Sequence, residues 1–299
     1  MGEMDLQQLR YVVAVAASSS FTRAAEKCFV TQSALSHQIA ALEREIGQRL
    51  FVRTSRSVAL SEAGAAFLPH ARAAVEAADQ AVEEAAAASG TIVGSLRLGV
   101  IPTVTAMDVP GTLRAYRLAH PSSRVEMTVG NSDAMIAAVR SGDLDIALLG
   151  LREGVVPEGV ASRILETESL QAVVATDHPF AAEGSVALKD LAGETFADFP
   201  VGTAGRAQSD GAFRAVGVER DVAFEADSAE LILDLVASGL AVTLLAPGVV
   251  RRSAARVAVV DVQGGPARSE HLAWHATDPR SAARAFLGVV TTRDQRPPE

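Results

Sequence analysis

The chain has almost no cysteine, the residue that staples small proteins and builds thiolate metal sites. A single cysteine, Cys28, in 299 residues excludes an intramolecular disulfide and any CxxC redox or metal motif. Aromatic residues make up only 4% of the chain, so Ala, Val and Leu must fill the cores. Long hydrophobic runs are absent as well. The longest near-apolar stretches, Ala85–Ala88 and Leu240–Pro247, fall far short of the ~20 residues that span a bilayer. Residues 1–11 carry Glu3, Asp5, Gln7, Gln8 and Arg10, where a secretory signal needs an apolar core. The expectation is a soluble cytoplasmic protein with no membrane partner. Its length suits about two domains rather than one small core.

Net charge is −9, which taken whole argues against nucleic acid, but the charge is unevenly spread. Residues 1–60 hold seven Arg/Lys against five acids, and residues 61–90 hold Arg72 against five acids. The mildly basic head is the one basic segment of an acidic chain, which hints at a divided function.

That head reads as three helices and a hairpin. Leu6, Leu9, Val12, Val13 and Ala16 mark an amphipathic helix opened by Asp5 as N-cap. Phe21, Ala24, Ala25 and Cys28 mark a second, short helix capped by Ser20 or Thr22. Thr31 caps a third, with Ala34 or Leu35, Ile39, Leu42 and Ile46 as its buried stripe and Gly47 ending it. Leu50–Arg53 and Val58–Leu60 read as strands around the turn Thr54–Ser57. From Ser61 a helix runs to about Ala88, with Pro69 expected to kink it. Its Leu68, Val75 and Val82, alternating with Ala71, Ala78 and Ala85, form a heptad seam that predicts a paired helix.

Beyond a hinge at Ser89-Gly90-Thr91, strands alternate with helices, which implies two successive α/β lobes with parallel strands. Strands are predicted at Leu96–Ile101, Val125–Val129, Asp145–Leu149, Leu170–Ala175, Glu194–Phe199, Ala223–Ala226, Gly239–Leu245 and His271–His275. Helices are predicted at Val104–His120, Ala134–Ser141, Ala229–Ser238 and Ser281–Val290.

The most specific chemistry lies in the helix–turn–helix. Thr31, Gln32, Ser33, Ser36, His37 and Gln38 occupy the N-terminal end and outer face of the third helix. An ordinary solvated helix would carry Glu and Lys there. Short or forked hydrogen-bonding side chains are what base edges and phosphates require in a major groove. Arg53 and Arg56, on the turn that follows, suit phosphate or minor-groove contact. Ala24-Ala25 meets the need for small side chains where two helices nearly touch. Cys28, on the apolar face of the second helix, reads as a small core residue.

The motifs Phe21-Thr22-Arg23-Ala24-Ala25, Thr31-Gln32-Ser33-Ala34-Leu35-Ser36-His37-Gln38-Ile39, Gly47-Gln48-Arg49-Leu50-Phe51-Val52-Arg53 and Leu60-Ser61-Glu62-Ala63-Gly64 resemble those of LysR-type transcriptional regulators. Weaker landmarks follow at Asp177-His178-Pro179-Phe180 and Val236–Val242. The resemblance implies an α/β protein with three parts: a winged helix–turn–helix (residues 1–60), a dimerising linker helix (61–89) and a two-lobed, periplasmic-binding-protein-like effector domain (90–299). Lobe I would comprise residues 90–163 and 269–299 and lobe II residues 164–268, with crossings near Arg163–Ser169 and Val262–Ser269. The implied partners are double-stranded DNA at an interrupted inverted-repeat operator, a small effector, a second copy of the chain in a homodimer or homotetramer, and RNA polymerase. One departure is the wing, where Ser57 and Ala59 replace the further Arg of many relatives and remove phosphate contacts. One branch of the family senses peroxide through two effector-domain cysteines. Residues 90–299 have none, which excludes that mechanism here.

For the effector, strand ends in open α/β lobes mark the ligand cleft. Thr103 and Thr105, read as opening a helix, together with Asn131, Ser132 and Thr203 lie at such ends, and Arg152 is the nearest cation for a carboxylate. These groups describe a site for a compact anion. No cofactor, metal site or catalytic residue is indicated. His271 and His275 lie four apart on a strand without a third ligand, and Gly202-Thr203-Ala204-Gly205-Arg206 lacks both phosphate-loop spacings and reads as a loop at the lobe interface. Two alternatives stay open: a regulator of the same fold that takes no small ligand, and a solute-binding module or enzyme whose N-terminal helices are incidental.

Overall fold

The computed structural model describes residues 4–53 and 58–294, and the chain divides into two compact units at Ser89/Gly90. The first unit contains α1 (Leu6–Ser18), α2 (Phe21–Lys27), α3 (Gln32–Ile46), β1 (Phe51–Arg53), β2 (Val58–Leu60) and α4 (Glu62–Ala88). Local signals set these boundaries. Asp5 and Gln8 form a capping box at the start of α1. Ser20, rather than Thr22, caps α2. The Thr31 hydroxyl caps α3 by accepting from the Ala34 N–H, and Gly47 ends it at φ +69°. Leu35, rather than Ala34, is the buried member of the α3 stripe, and it packs with Val12, Val15, Ala24, Ile39, Leu42 and Leu50.

The wing is fastened to α3 by one carboxylate. Glu43 Oε1 accepts from the N–H groups of Leu50 (2.7 Å) and Phe51 (3.2 Å), and so satisfies two donors where the helix ends and the hairpin begins. On the other side, Ser61 caps α4 while its hydroxyl donates to the Arg49 carbonyl at 2.5 Å. Gly64 packs so closely that a Cβ there would lie 2.0 Å from the Leu50 carbonyl oxygen. Only glycine lets α4 approach the hairpin this near.

The long helix corrects part of the expected seam. α4 is assigned as one helix of 27 residues that includes Pro69. Leu68 is buried within the core of its own unit and is unavailable to a second chain. Val75 is half-buried, and Val82 is 69% exposed. Arg10 of α1 forms an ion pair with Asp79 of α4, which fixes the two helices side by side.

The second unit is two lobes. The first has a five-stranded sheet of β3 (Gly94–Val100), β4 (Ser123–Val129), β5 (Ile146–Arg152), β6 (Val160–Ser169) and β13 (Ala267–His275), in the order β4-β3-β5-β13-β6. β3 is parallel to β4 and β5, whereas β13 runs antiparallel to β5 and β6. Its helices are α5 (Val109–Ala119), α6 (Ser132–Ser141) and α10 (Ser281–Asp294). The second lobe pairs β7 (Gln171–Ala175), β8 (Ser185–Ala187), β11 (Thr243–Leu245) and β12 (Val257–Gln263) in the order β11-β7-β12-β8. Beside it lie the parallel pair β9 (Thr195–Asp198) and β10 (Asp221–Glu225) and the helices α7 (Ala204–Ala215), α8 (Ala229–Ala237) and α9 (Pro247–Arg252).

The expectation of parallel strands in both lobes needs correction, since β13 runs antiparallel to β5 and β6, and β7 antiparallel to β11 and β12. The crossings and one helix start differ as well. Residues 164–169 and 267–268 belong to strands of the first lobe's sheet, so the crossings fall at Leu170 and at residues 264–266. The helix expected from Val104 starts at Val109, where Asp108 supplies the cap and Pro110 suits the first turn. Residues ahead of it are held out of a helix because Glu270 accepts the N–H groups of Thr105 and Ala106. Among the described residues, no helix is long and apolar enough to cross a membrane.

Candidate functional site

Two places gather functional chemistry, one in each unit. In the first, α2 and its small Ala24 and Ala25 carry α3 with its N-terminal end outward. Thr31, Gln32, Ser33, His37 and Gln38 are exposed and Ser36 is half-buried. The Gln32 amide donates to Ser36 Oγ at 3.1 Å, and the hydroxyls of Thr31 and Ser33 lie 3.1 Å apart, so four polar groups are pre-ordered on one end of the helix. Gln38 differs from the others, because its Oε1 accepts from Gln8 Nε2 at 3.3 Å and so tethers α3 to α1. Arg53 ends β1 with its backbone paired to Val58, and its side chain, like Arg56 and the rest of the turn Thr54–Ser57, lies outside the described residues. Cys28 is half-buried, and burial pushes its thiol pKa up, which suits the core role and leaves little reactive thiolate.

In the second unit a cleft of about 390 Å³ opens between the lobes. Of the residues expected there, Thr103, Asn131, Ser132 and Thr203 line it. Asn131 caps α6 and Thr203 caps α7, so the N-termini of two helices, one from each lobe, meet at the cleft. By helix geometry, the first-turn N–H groups of Ser132, Asp133, Ala204 and Gly205 have no partner within their helices. The segment Gly202–Arg206, expected to be a loop at the lobe interface, does reach that interface, but only Gly202 lies in a turn: Thr203 caps α7 and Ala204–Arg206 begin it. Apolar walls come from Ile101, Pro102, Val129, Phe199 and Pro200. The Ser132 hydroxyl is committed to the backbone, since it donates to the Gly150 carbonyl at 3.0 Å and accepts from its N–H at 3.1 Å.

Thr105 and Arg152 do not line the cleft, and its cation is Arg268. Arg152 is the exposed last residue of β5. Arg268 is 6% exposed and held by a closed set of acceptors. Its Nη1 donates to Thr103 Oγ1 and its Nη2 to the Thr103 carbonyl, each at 2.9 Å. It also pairs with Glu168 at 2.9 Å and Glu270 at 2.5 Å. Thr105 serves the same cluster, for its Oγ1 lies 2.7 Å from Glu270 Oε1 and 3.2 Å from Arg268 Nη2. Sequence reading missed Arg268 because it placed a crossing over Val262–Ser269. The available signal was the spacing of Arg268 and Glu270 two apart in a strand, which sets opposite charges on one face.

The second lobe braces α7 with a further buried pair. Arg220 donates to Asp198 at 2.5 Å and to Asp210 of α7 at 2.7 Å, with its guanidinium against the rings of Phe196 and Phe213. Burial raises the Asp198 pKa, although Arg220 pulls the other way. Gln208 of α7 reaches across to donate to the Ala267 carbonyl at 2.5 Å, which links the lobes directly.

His271 is 2% exposed with no hydrogen-bond partner for either ring nitrogen, and burial lowers its pKa, so the neutral ring is favoured. His275 instead accepts from the Asp278 N–H at 3.2 Å. Among the described residues, no group of His, Cys, Asp or Glu is placed to hold a metal ion.

A winged helix–turn–helix that offers polar side chains at the start of its third helix, joined to a two-lobed unit with a ligand-sized cleft, defines the class of DNA-binding, effector-responsive regulators. Residues 6–65 match the model of bacterial regulatory helix-turn-helix proteins of the lysR family, and residues 89–295 match the LysR substrate binding domain. The chain belongs to the LysR family of transcriptional regulators. It is 33% identical to a hydrogen peroxide-inducible genes activator of Pectobacterium carotovorum subsp. carotovorum, over 81% of this chain and 80% of the relative. It is 32% identical to the transcriptional dual regulator GltC of Bacillus subtilis, over 81% and 80%. Among solved structures, a full-length OxyR variant from Pseudomonas aeruginosa superposes with a TM-score of 0.72 at 26% identity, covering 100% of both chains. CbnR bound to its target DNA, at 24% identity and a TM-score of 0.70 over 97% and 99% of the chains, shares the fold.

Proposed function

We propose that this regulator reads an interrupted inverted repeat with Thr31, Gln32, Ser33, Ser36 and His37, with Gln38 beside them, while Arg53 and Arg56 hold the sugar–phosphate backbone. It does so as a homodimer or homotetramer in the cytoplasm, where it would recruit or block RNA polymerase. The observation that carries this reading is the pre-ordered Gln32–Ser36 pair on an exposed helix end. Pairing of two chains would run along α4, through Val75, Val82 and the alanines beside them, with Leu68 supporting the helix from its own core.

The effector is a compact molecule whose oxygen atoms meet the N-termini of α6 and α7 and whose apolar body packs against Ile101, Val129 and Phe199. An anionic end is favoured by the two helix dipoles. It is not favoured by Arg152, and Arg268 is already offset by two carboxylates. The lobes would close on the ligand about their two crossings. Peroxide sensing, the function in the name of one relative, has no thiol pair to work through here, because Cys28 is the one cysteine and lies in the first unit.

Three outcomes test this reading. Gln32→Ala is expected to lose discrimination between operator and random duplex by roughly 1–3 kcal/mol, read by mobility shift, with an unchanged circular dichroism spectrum. An unaltered operator preference would remove Gln32 from the reading surface. Val82→Glu is expected to lower the mass of the full-length protein in light scattering, because it buries like charges in the paired helices. A wild-type protein that is already a monomer at micromolar concentration would contradict pairing through α4. In a thermal-shift panel of small carboxylates and their amides, the carboxylates should raise the melting temperature and Gly205→Val should cancel the response. A Cβ at Gly205 meets the Phe199 ring at 3.5 Å, an ordinary contact, and the two methyl groups beyond it narrow the cleft mouth; an unchanged circular dichroism spectrum checks that the variant folds. A shift that survives in Gly205→Val would place the ligand elsewhere.

A further inference from the structure

The turn between α2 and α3 contains a residue whose conformation and exposure both run against folding. Phe29 sits at φ +56°, in the left-handed region where an L side chain crowds the following carbonyl. The backbone there is a Schellman closure of α2, in which the Phe29 N–H donates to the Glu26 carbonyl at 3.2 Å and the Val30 N–H to the Ala25 carbonyl at 3.0 Å. Glycine or asparagine ordinarily fills that position. A large aromatic ring there would be understandable if it filled the core, yet Phe29 is 95% exposed. The same turn would form with glycine at less strain, so packing within the chain does not account for the ring. Its place in the fold does. Phe29 stands two residues before Thr31, the cap of α3, beside the exposed Gln32 and Ser33.

We infer that Phe29 is a further sequence-reading residue of the helix–turn–helix, whose ring packs against the C5-methyl group of a thymine at the edge of the bases read by α3. Hydrogen-bonding groups dominate the exposed end of α3, and they distinguish donors from acceptors on base edges. A thymine methyl offers neither, and an apolar side chain is what recognises it in the major groove. A ring presented by a closed turn, rather than by a mobile loop, is held before DNA arrives, and the strain at Phe29 is the cost of that placement. The inference rests on the DNA-reading role of α3 and adds to it a contact with no hydrogen bond.

The test uses the full-length protein and double-stranded DNA selected by the wild type from a random-sequence library. Each thymine common to the selected sites is replaced singly by uracil, which removes only the methyl group. The wild type is expected to lose about three- to tenfold in affinity at one thymine per half-site, the range for a buried methyl contact. Phe29→Gly should bind the thymine and uracil duplexes equally and melt no lower than the wild type, because glycine relieves the positive φ. If no uracil substitution weakens the wild type, or if the same substitution weakens Phe29→Gly as much, the assignment is wrong. A fall in the mass of Phe29→Gly by light scattering would make the ring a contact between copies and would also overturn it. A wild-type protein that selects no sequence at all would defeat the DNA-reading role itself, and this inference with it.

Discussion

Arg268 joins three segments that are remote in sequence. Its guanidinium binds Thr103 just after β3, Glu168 just before the chain leaves the first lobe, and Glu270 just after the chain returns. One cation therefore fixes the floor of the cleft and the roots of both crossings together. Without it the buried Glu270 and the half-buried Glu168 would be left with hydroxyl and backbone donors alone, which is the costly half of a broken pair. Glu270 also takes the N–H groups of Thr105 and Ala106, and so shapes the non-helical entry to α5 that follows the cleft-lining Ile101, Pro102 and Thr103. Because Arg268 is spent on this network, the cleft otherwise presents two helix N-termini and apolar walls.

The first unit solves a different problem with shorter-range means. An exposed helix end has to be held in a fixed relation to the hairpin strands that follow it. Glu43 ties that hairpin to α3, Ser61 ties it to α4, and Gly64 allows the close approach that makes both ties geometrically possible. The sequence Leu60-Ser61-Glu62-Ala63-Gly64 thus has a physical reason beyond family resemblance. The same economy appears at Ala24 and Ala25, which are buried where α2 crosses its neighbours and where a larger side chain would push α3 outward.

What could be read from the sequence follows from the range of the interactions. Caps at Asp5, Ser20, Thr31 and Ser61 act within three residues, and Gly47 acts through its own φ, so the helices of the first unit were legible to within a residue or two. The cleft was legible in part. Asn131 and Thr203 were found because strand ends in α/β lobes point to ligands, and both turned out to be helix caps at the cleft. Arg268 was not, because its partners Thr103 and Glu168 stand 165 and 100 positions away. β6 was missed for a related reason. As an edge strand with Arg163, Glu166 and Glu168 it lacks the apolar run of a central strand, and only its pairing with β13 makes it one. Leu68 followed the heptad as expected, yet a pattern cannot say whether its apolar neighbour lies in the same chain or another, and here it lies in the same chain.

The dependence of the effector unit on Arg268 is open to direct measurement by urea unfolding of the full-length protein, following the fluorescence of Trp274. Arg268→Met should destabilise the effector unit by about 3–5 kcal/mol, the range for breaking one side of a buried pair. Adding Glu168→Gln and Glu270→Gln in the same chain should restore much of that loss, because no uncompensated carboxylate then remains in the interior. An Arg268→Met protein as stable as the wild type, or a triple variant no more stable than the single one, would contradict the view that this buried cluster organises the cleft.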